Sequence, residues 1–260
     1  MKRLIFSATT SGTGKTTICC GVQRALKNRG IYVQPFKVGP DYIDTEYHFL
    51  ASGNKSRNLD EFMLPKEEIE FLFARSAGKA DISIVEGVMG LYDGLGARHD
   101  YCSTASMAKI LDCPVILIID AKSMAASSAA LVLGYMNLDP RIKIAGVIAN
   151  NVSTESHFNI VKWAIETYTG VPVLGRIPKD EKFTLSSRHL GLTPSVEVQD
   201  LDEKLDYIAG VVEKYLDLDK LIEISSEEPI EYDAHRRDRI KDITNVRMGI
   251  AFDKAFNFYY

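Results

Sequence analysis

A chain of 260 residues is long enough for one large α/β domain, with a remainder too short for a second domain of ordinary size. Its 46% hydrophobic and 25% charged residues support a buried core and exclude a disordered or low-complexity chain. With 31 Lys and Arg against 35 Asp and Glu, the net charge of −4 leaves no basic surplus for gripping a nucleic-acid backbone, so nucleic acid is not an expected partner. Cys19, Cys20, Cys102 and Cys113 show no paired spacing and read as small buried hydrophobes in a reducing compartment. Leu4, Ile5 and Phe6 are too short a run for a signal peptide, and no later run approaches the roughly 18 apolar residues of a membrane span. The expectation is a cytoplasmic protein with no membrane partner.

In chain order, residues 3–8 read as a strand, 15–29 as a helix and 31–38 as a second strand. A helix is expected over 60–77, a strand over 81–86, a helix over 103–111 and a strand over 114–120. Then follow a helix over 123–136, a strand over 143–149, a helix over 156–169 and a strand over 172–177, with Gly30, Gly78 and Gly170 closing helices. Short β-branched runs alternating with helical periods predict an α/β fold, a mostly parallel sheet with helices on both faces. After Pro178 the alternation weakens. Residues 200–224 read as one long amphipathic helix with Leu201, Leu205, Ile208, Val212, Tyr215 and Leu216 along its stripe. The charge-rich stretch 226–245 reads as a linker or solvated segment, and 246–260 as a further apolar strand without a covering helix.

The strongest chemical signal is SATTSGTGKTT, residues 7–17, where a strand hands over to a helix. Its core of Gly14, Lys15 and Thr16 combines backbone N–H groups able to converge on phosphate oxygens, a cation for the β and γ phosphates, and a hydroxyl for Mg²⁺. The first glycine of the strict pattern is replaced by Thr9. ATP or GTP binding is the expectation, and the fold class is therefore P-loop NTPase-type.

Ligands of an open parallel sheet bind beyond the carboxyl ends of its strands. The second strand runs into Lys37, Asp41, Asp44 and His48, and the third into Glu86 and the glycine-flanked Asp93. An acid at a strand end can hold Mg²⁺ together with the P-loop hydroxyl, and Glu86 is the first choice for it. Tyr42 and Tyr92 flank these acids and could stack on a planar substrate or simply pack as lids. His48 stands four residues after Asp44 and could be a substrate ligand; the spacing gives no reason to make it a metal ligand.

The strings KVGPDYIDTEYH (37–48), RNLDEFMLP (57–65), VEGVMGLYDGLG (85–96) and DYCSTASMAKIL (100–111) resemble the amino-terminal synthetase domain of the cobyrinic acid a,c-diamide synthase family, which includes a branch acting on nickel sirohydrochlorin. The resemblance covers nearly the whole chain and implies a dethiobiotin-synthetase-like fold. It also implies ATP- and Mg²⁺-dependent amidation of the a and c acetate carboxylates of a corrinoid or related tetrapyrrole, through acyl phosphates, with glutamine or ammonia as nitrogen donor. Carried over residue by residue, Gly12, Thr13, Gly14, Lys15, Thr16 and Thr17 hold the phosphates, Asn150 reads the adenine edge, and Thr16, Glu86 and Asp44 form the metal site. Lys15, Asp41, Tyr42 and Asp93 are the catalytic set, and Lys37, Asp41, Tyr42, Tyr92, Asp93, Arg188 and His189 the substrate set; Arg188 and His189 read equally well as loop anchors. Ala8 stands where the family commonly has glycine, a change expected to be tolerated.

The implied organisation is a synthetase domain over 1–225, a linker over 226–245 and, over 246–260, the first strand of a class I glutaminase domain that the 260 residues do not continue. The expected consequence is amidation with ammonium but not with glutamine, and a homodimer is the candidate assembly. Cobyric acid synthase and dethiobiotin synthetase are the near rivals. A partition-type switch ATPase is the distant one, and Thr10 stands where that class carries its signature lysine.

Overall fold

A computed structural model describes residues 1–185, 187–188, 191–192, 200–230, 232, 247–251, 253 and 256. In chain order its elements are β1 (Arg3–Ala8), α1 (Lys15–Asn28), β2 (Val33–Val38), α2 (Ile43–Ser52), β3 (Arg57–Leu59), α3 (Lys66–Ala77), β4 (Ile82–Glu86), α4 (Thr104–Ile110) and β5 (Val115–Asp120). There follow α5 (Ser127–Leu138), β6 (Ile144–Asn150), α6 (Glu155–Thr169), β7 (Val173–Ile177), the short β8 (Ser187–Arg188) and β9 (Gly191–Leu192), α7 (Leu201–Tyr215) and α8 (Leu218–Glu223).

Seven strands form one parallel sheet in the order β3-β2-β4-β1-β5-β6-β7, so the α/β P-loop architecture expected from the sequence is the one observed. β1 lies at its centre with all six residues buried, as the unbroken apolar run of a two-sided parallel strand requires. Leu4, Phe6 and Ala8 face a core layer built with Ile18 of α1, Tyr47 of α2, Leu205 of α7 and Leu218 of α8. Ile5 faces the opposite layer, built with Ile69, Met107, Val132 and Val161 of α3, α4, α5 and α6. The carboxyl ends of β1, β2 and β4 thereby open side by side.

Several expectations are corrected. The helix expected over 60–77 starts only at Lys66, because Leu64 precedes Pro65 and is disfavoured from helical geometry, and 60–64 form a turn in which Asp60 accepts from Phe62 N. The single helix expected over 200–224 is two helices. At the break Leu216 bridges Gly175 of β7, Asp217 N donates to Leu174 O at 2.7 Å, and the Asp217 carboxylate caps α8 by accepting from Lys220 N at 2.8 Å. The bridge to β7 and the cap of α8 outweigh continuation of the stripe. α2 and β3 were not anticipated. The start of the 226–245 segment is tied down, with Ser226 and Arg3 exchanging backbone hydrogen bonds of 3.0 and 3.2 Å and the Arg3 guanidinium donating to Glu228 O at 2.5 Å. Most of the rest of that segment, and most of the strand expected over 246–260, lie outside the described residues.

Candidate functional site

The loop from Thr9 to Gly14 leaves β1 and enters α1 through two left-handed glycines, Gly12 at φ +78° and Gly14 at φ +88°. Gly14 is doubly constrained, since a Cβ there would lie 2.8 Å from Asn150 Nδ2. α1 has no side-chain cap and no acidic residue in its first turn, so its leading N–H groups and the positive end of its dipole stay available to an anion. Thr13 Oγ1 donates back to Thr10 O at 2.8 Å and fixes the loop's curvature. Lys15 Nζ reaches across to Met89 O at 3.2 Å, and burial lowers its pKa below the ordinary 10.5. Thr17 is buried in the first turn.

Beside this cradle four elements bring polar groups to one point. Parallel register sets Lys37 of β2 opposite Glu86, the last residue of β4. Thr16 Oγ1 donates to Glu86 Oε1 at 2.6 Å and lies 3.4 Å from Asp44 Oδ2. The Lys37 ammonium donates to Glu86 Oε1 at 3.0 Å and also pairs with Asp44. Asp44 and His48 stand one turn apart on α2, and His48 Nε2 lies 2.6 Å from Glu86 Oε2, with Ser56 Oγ 3.1 Å from its Nδ1.

The electrostatics follow from burial and charge. Burial opposes ionisation of Glu86, yet the Lys37 ammonium and the His48 hydrogen bond hold its carboxyl well below the ordinary 4.5. Burial likewise opposes charge on Lys37, and the Glu86 and Asp44 carboxylates overcome it, raising Lys37 above 10.5. Burial pushes Asp44 above its ordinary 3.8, with Lys37 pulling the other way. Thr16, Asp44 and Glu86 thus present only oxygen atoms around a point that already accommodates one positive charge. That donor set fits a hard cation such as Mg²⁺.

The other expected site residues are placed as follows. Asp41 is half-buried, and its Oδ1 accepts from Ile43 N and Asp44 N, both at 2.9 Å, so the carboxylate caps α2. Tyr42 is 41% exposed at the same corner. Asp93 is solvent-exposed and closes its own turn by accepting from Gly90 N at 2.9 Å. Tyr92 packs on Tyr135, its ring 5.6 Å from that of Tyr135 and its hydroxyl donating to Tyr135 O at 2.5 Å, while the Tyr135 hydroxyl donates to Thr9 O at 2.7 Å. Asn150, at the end of β6, donates Nδ2 to Thr13 O at 2.7 Å and accepts from Asn151 N at 2.9 Å, so its amide fastens the phosphate loop. Arg188 lies in the β8–β9 pairing, opposite Gly191, and His189 lies outside the described residues.

Two features escaped the sequence reading. His48 is fully buried on Glu86 and so is no substrate ligand; the i, i+4 spacing from Asp44 carries that signal once 43–52 is known to be helical. The second is a cleft of about 390 Å³, lined by Val38, Pro40, Phe62, Met63, Val88, Met89, Leu95 and Met107 among others. Phe62 and Met63 are 69% and 60% exposed, unusual for side chains so apolar. Met89 belongs to both places, lining the cleft and accepting from Lys15 through its carbonyl, at a left-handed φ of +46°.

Residues 4–192 match the family model described as the CobQ/CobB/MinD/ParA nucleotide binding domain. The cobyrinate a,c-diamide synthase of Listeria innocua is 46% identical over 261 residues, covering 100% of this chain and 58% of that protein. That of Methanocaldococcus jannaschii is 45% identical over 262 residues, again 100% of this chain and 58% of the relative. The chain therefore spans little more than half the length of these relatives. Among solved structures, chloroplast FtsY from Physcomitrella patens superposes with a TM-score of 0.48 and 14% identity over 80% of this chain and 65% of that one, too loose a likeness to argue from.

Proposed function

Since the chain belongs to the CobQ/CobB/MinD/ParA nucleotide-binding-domain family, we propose that it carries the ATP-dependent amide-forming site of a cobyrinate a,c-diamide synthase. The observation that carries this reading is Met89, which joins an apolar cleft to the phosphate cradle: the residue lines the one, and its carbonyl accepts from Lys15 of the other. An open apolar cleft suits the edge of a tetrapyrrole ring and leaves an acetate arm free to reach the lysine.

A carboxylate is a poor acyl donor because it would have to expel oxide. In the proposed reaction a substrate carboxylate oxygen attacks the γ phosphorus of ATP, the bond to the bridging oxygen breaks, and ADP leaves. Ammonia then attacks the carbonyl carbon of the acyl phosphate, loses a proton, and phosphate departs with the electron pair of the C–O bond. Lys15 and the free N–H groups of α1 would bind the phosphates. Thr16, Asp44 and Glu86 would hold Mg²⁺, which supplies neutralisation of charge on the transferring phosphoryl group. Asp41 holds α2, and with it Asp44, in place; Asn150 holds the loop that orients Lys15. Asp93, exposed in the loop that carries Met89, would face the arm under attack.

The test is to incubate the chain with ATP, Mg²⁺, ammonium and cobyrinic acid, with nickel sirohydrochlorin and diaminopelargonate in parallel, and follow ADP and amide together. The expected result is amide matched to ADP with the corrinoid, abolished by Lys15→Ala through lost phosphate neutralisation. ATP hydrolysis with none of the three acids modified would point to a switch ATPase and reject the reading. Turnover surviving Lys15→Ala would remove the lysine from the cradle's chemistry.

A further inference from the structure

The two oxygens of Glu86 have different surroundings. Oε1 faces the cradle, 2.6 Å from Thr16 Oγ1 and 3.0 Å from Lys37 Nζ, while Oε2 faces away from it, 2.6 Å from His48 Nε2. An ionised carboxylate only accepts, so His48 Nε2 is the donor; its other nitrogen is met by Ser56 Oγ at 3.1 Å. Glu86 and His48 are both completely buried, so water cannot substitute for either bond. The last torsion of a glutamate side chain is broad and roughly two-fold, and its rotamer alone leaves the carboxylate plane undetermined.

We propose that His48, held by Ser56, is a positioning residue that sets the plane of the Glu86 carboxylate and keeps Oε1 aimed at the magnesium position beside Thr16. Outer partners of this kind orient a metal-binding carboxylate without touching the metal. α2 then contributes twice to the same site, with Asp44 as a candidate ligand and His48, one turn on, as the support of the ligand from β4. Without His48, Oε2 becomes a buried acceptor that has lost its donor, and only the Thr16 and Lys37 bonds to Oε1 are left to hold the carboxylate plane.

This rests on the magnesium-nucleotide reading above, and its test is kept apart from amidation. The affinity of the chain for a non-hydrolysable ATP analogue is measured by calorimetry in EDTA and again in saturating Mg²⁺, the ratio reporting how well the metal site is formed. For His48→Ala the expected result is an EDTA affinity within about threefold of the unmodified chain and a magnesium enhancement reduced about 10- to 100-fold. His48→Gln, whose amide can still donate to Oε2, should recover most of the enhancement, and Ser56→Ala should lose a few-fold. A His48→Ala chain with full enhancement would overturn the proposal. So would equal losses with and without metal, which mean general damage, or His48→Gln behaving no better than His48→Ala. An unmodified chain that binds the analogue but shows no magnesium enhancement would remove the metal site and this proposal together. One that binds no analogue at all would instead strike the nucleotide reading itself.

Discussion

The least replaceable side chain at the site is Lys37, because it is the buried cation between two buried carboxylates. Removing one partner of such a group leaves uncompensated charge, so Lys37→Met should cost on the order of 3–5 kcal/mol in urea unfolding at neutral pH. A raised folded pKa means that the lysine's contribution is complete below the ordinary 10.5 and is lost only as pH rises past it. The deficit of the variant should therefore be constant over the neutral range, then shrink on acidification as Asp44, already held above its ordinary value by burial, takes up a proton. A deficit that grew on acidification would contradict the charge assignment. At this scale the sequence located Lys37 and Glu86 near strand ends and Lys15 and Thr16 at the start of a helix, but it read Lys37 as a substrate residue, whereas the side chain is buried and paired with Asp44 and Glu86. It was silent on backbone use. Asp41, Asp93 and Asn150 read as chemical groups, and each is occupied with a main-chain N–H or C=O, because local capping leaves the same residue types in the same motifs as catalysis does.

Among the elements, α2 matters most, since Asp44 and His48 ride on it and its start depends on one side chain. Asp41→Ala should lower stability by about 1 kcal/mol in urea unfolding, whereas Asp41→Asn, which keeps the accepting oxygen, should be near neutral. If Asp41→Asn keeps stability but loses amidation, the carboxylate has a chemical part beyond capping; if both survive, it is a cap alone. The strands of the parallel sheet were readable from the sequence as short β-branched runs, apart from β3, a three-residue edge strand with no periodicity to show. α2 was hidden by the density of polar, motif-like residues around it. The break between α7 and α8 was hidden for a different reason: the amphipathic stripe runs straight through Leu216, and only the sheet, through Leu174 and Gly175, pulls that residue out of the helix.

Over the whole molecule, the central strand separates two core layers, and the phosphate loop at its end is fastened from β6 through Asn150 and from the β4 loop through Lys15. Four strands and two helices therefore share one corner. The same Leu216 contact has a consequence at the rim of the sheet. β7 is an outermost strand, and an outermost strand offers a row of unpaired N–H and C=O groups on which another chain could extend the sheet. Gly175, at φ +144°, lets the α7–α8 junction lie flat against that row; a Cβ there would stand 2.1 Å from Tyr215 O. Gly175→Val should lift the junction off, and the expected readout is concentration-dependent association in light scattering with gain of β signal in circular dichroism. A variant that stayed monodisperse at the concentrations where the unmodified chain does would show that the junction is not what guards this rim. At the opposite rim β3 is too short to serve as a template. Thus one residue without a side chain lets the chain's own return path lie against the side of the sheet that would otherwise recruit a neighbour.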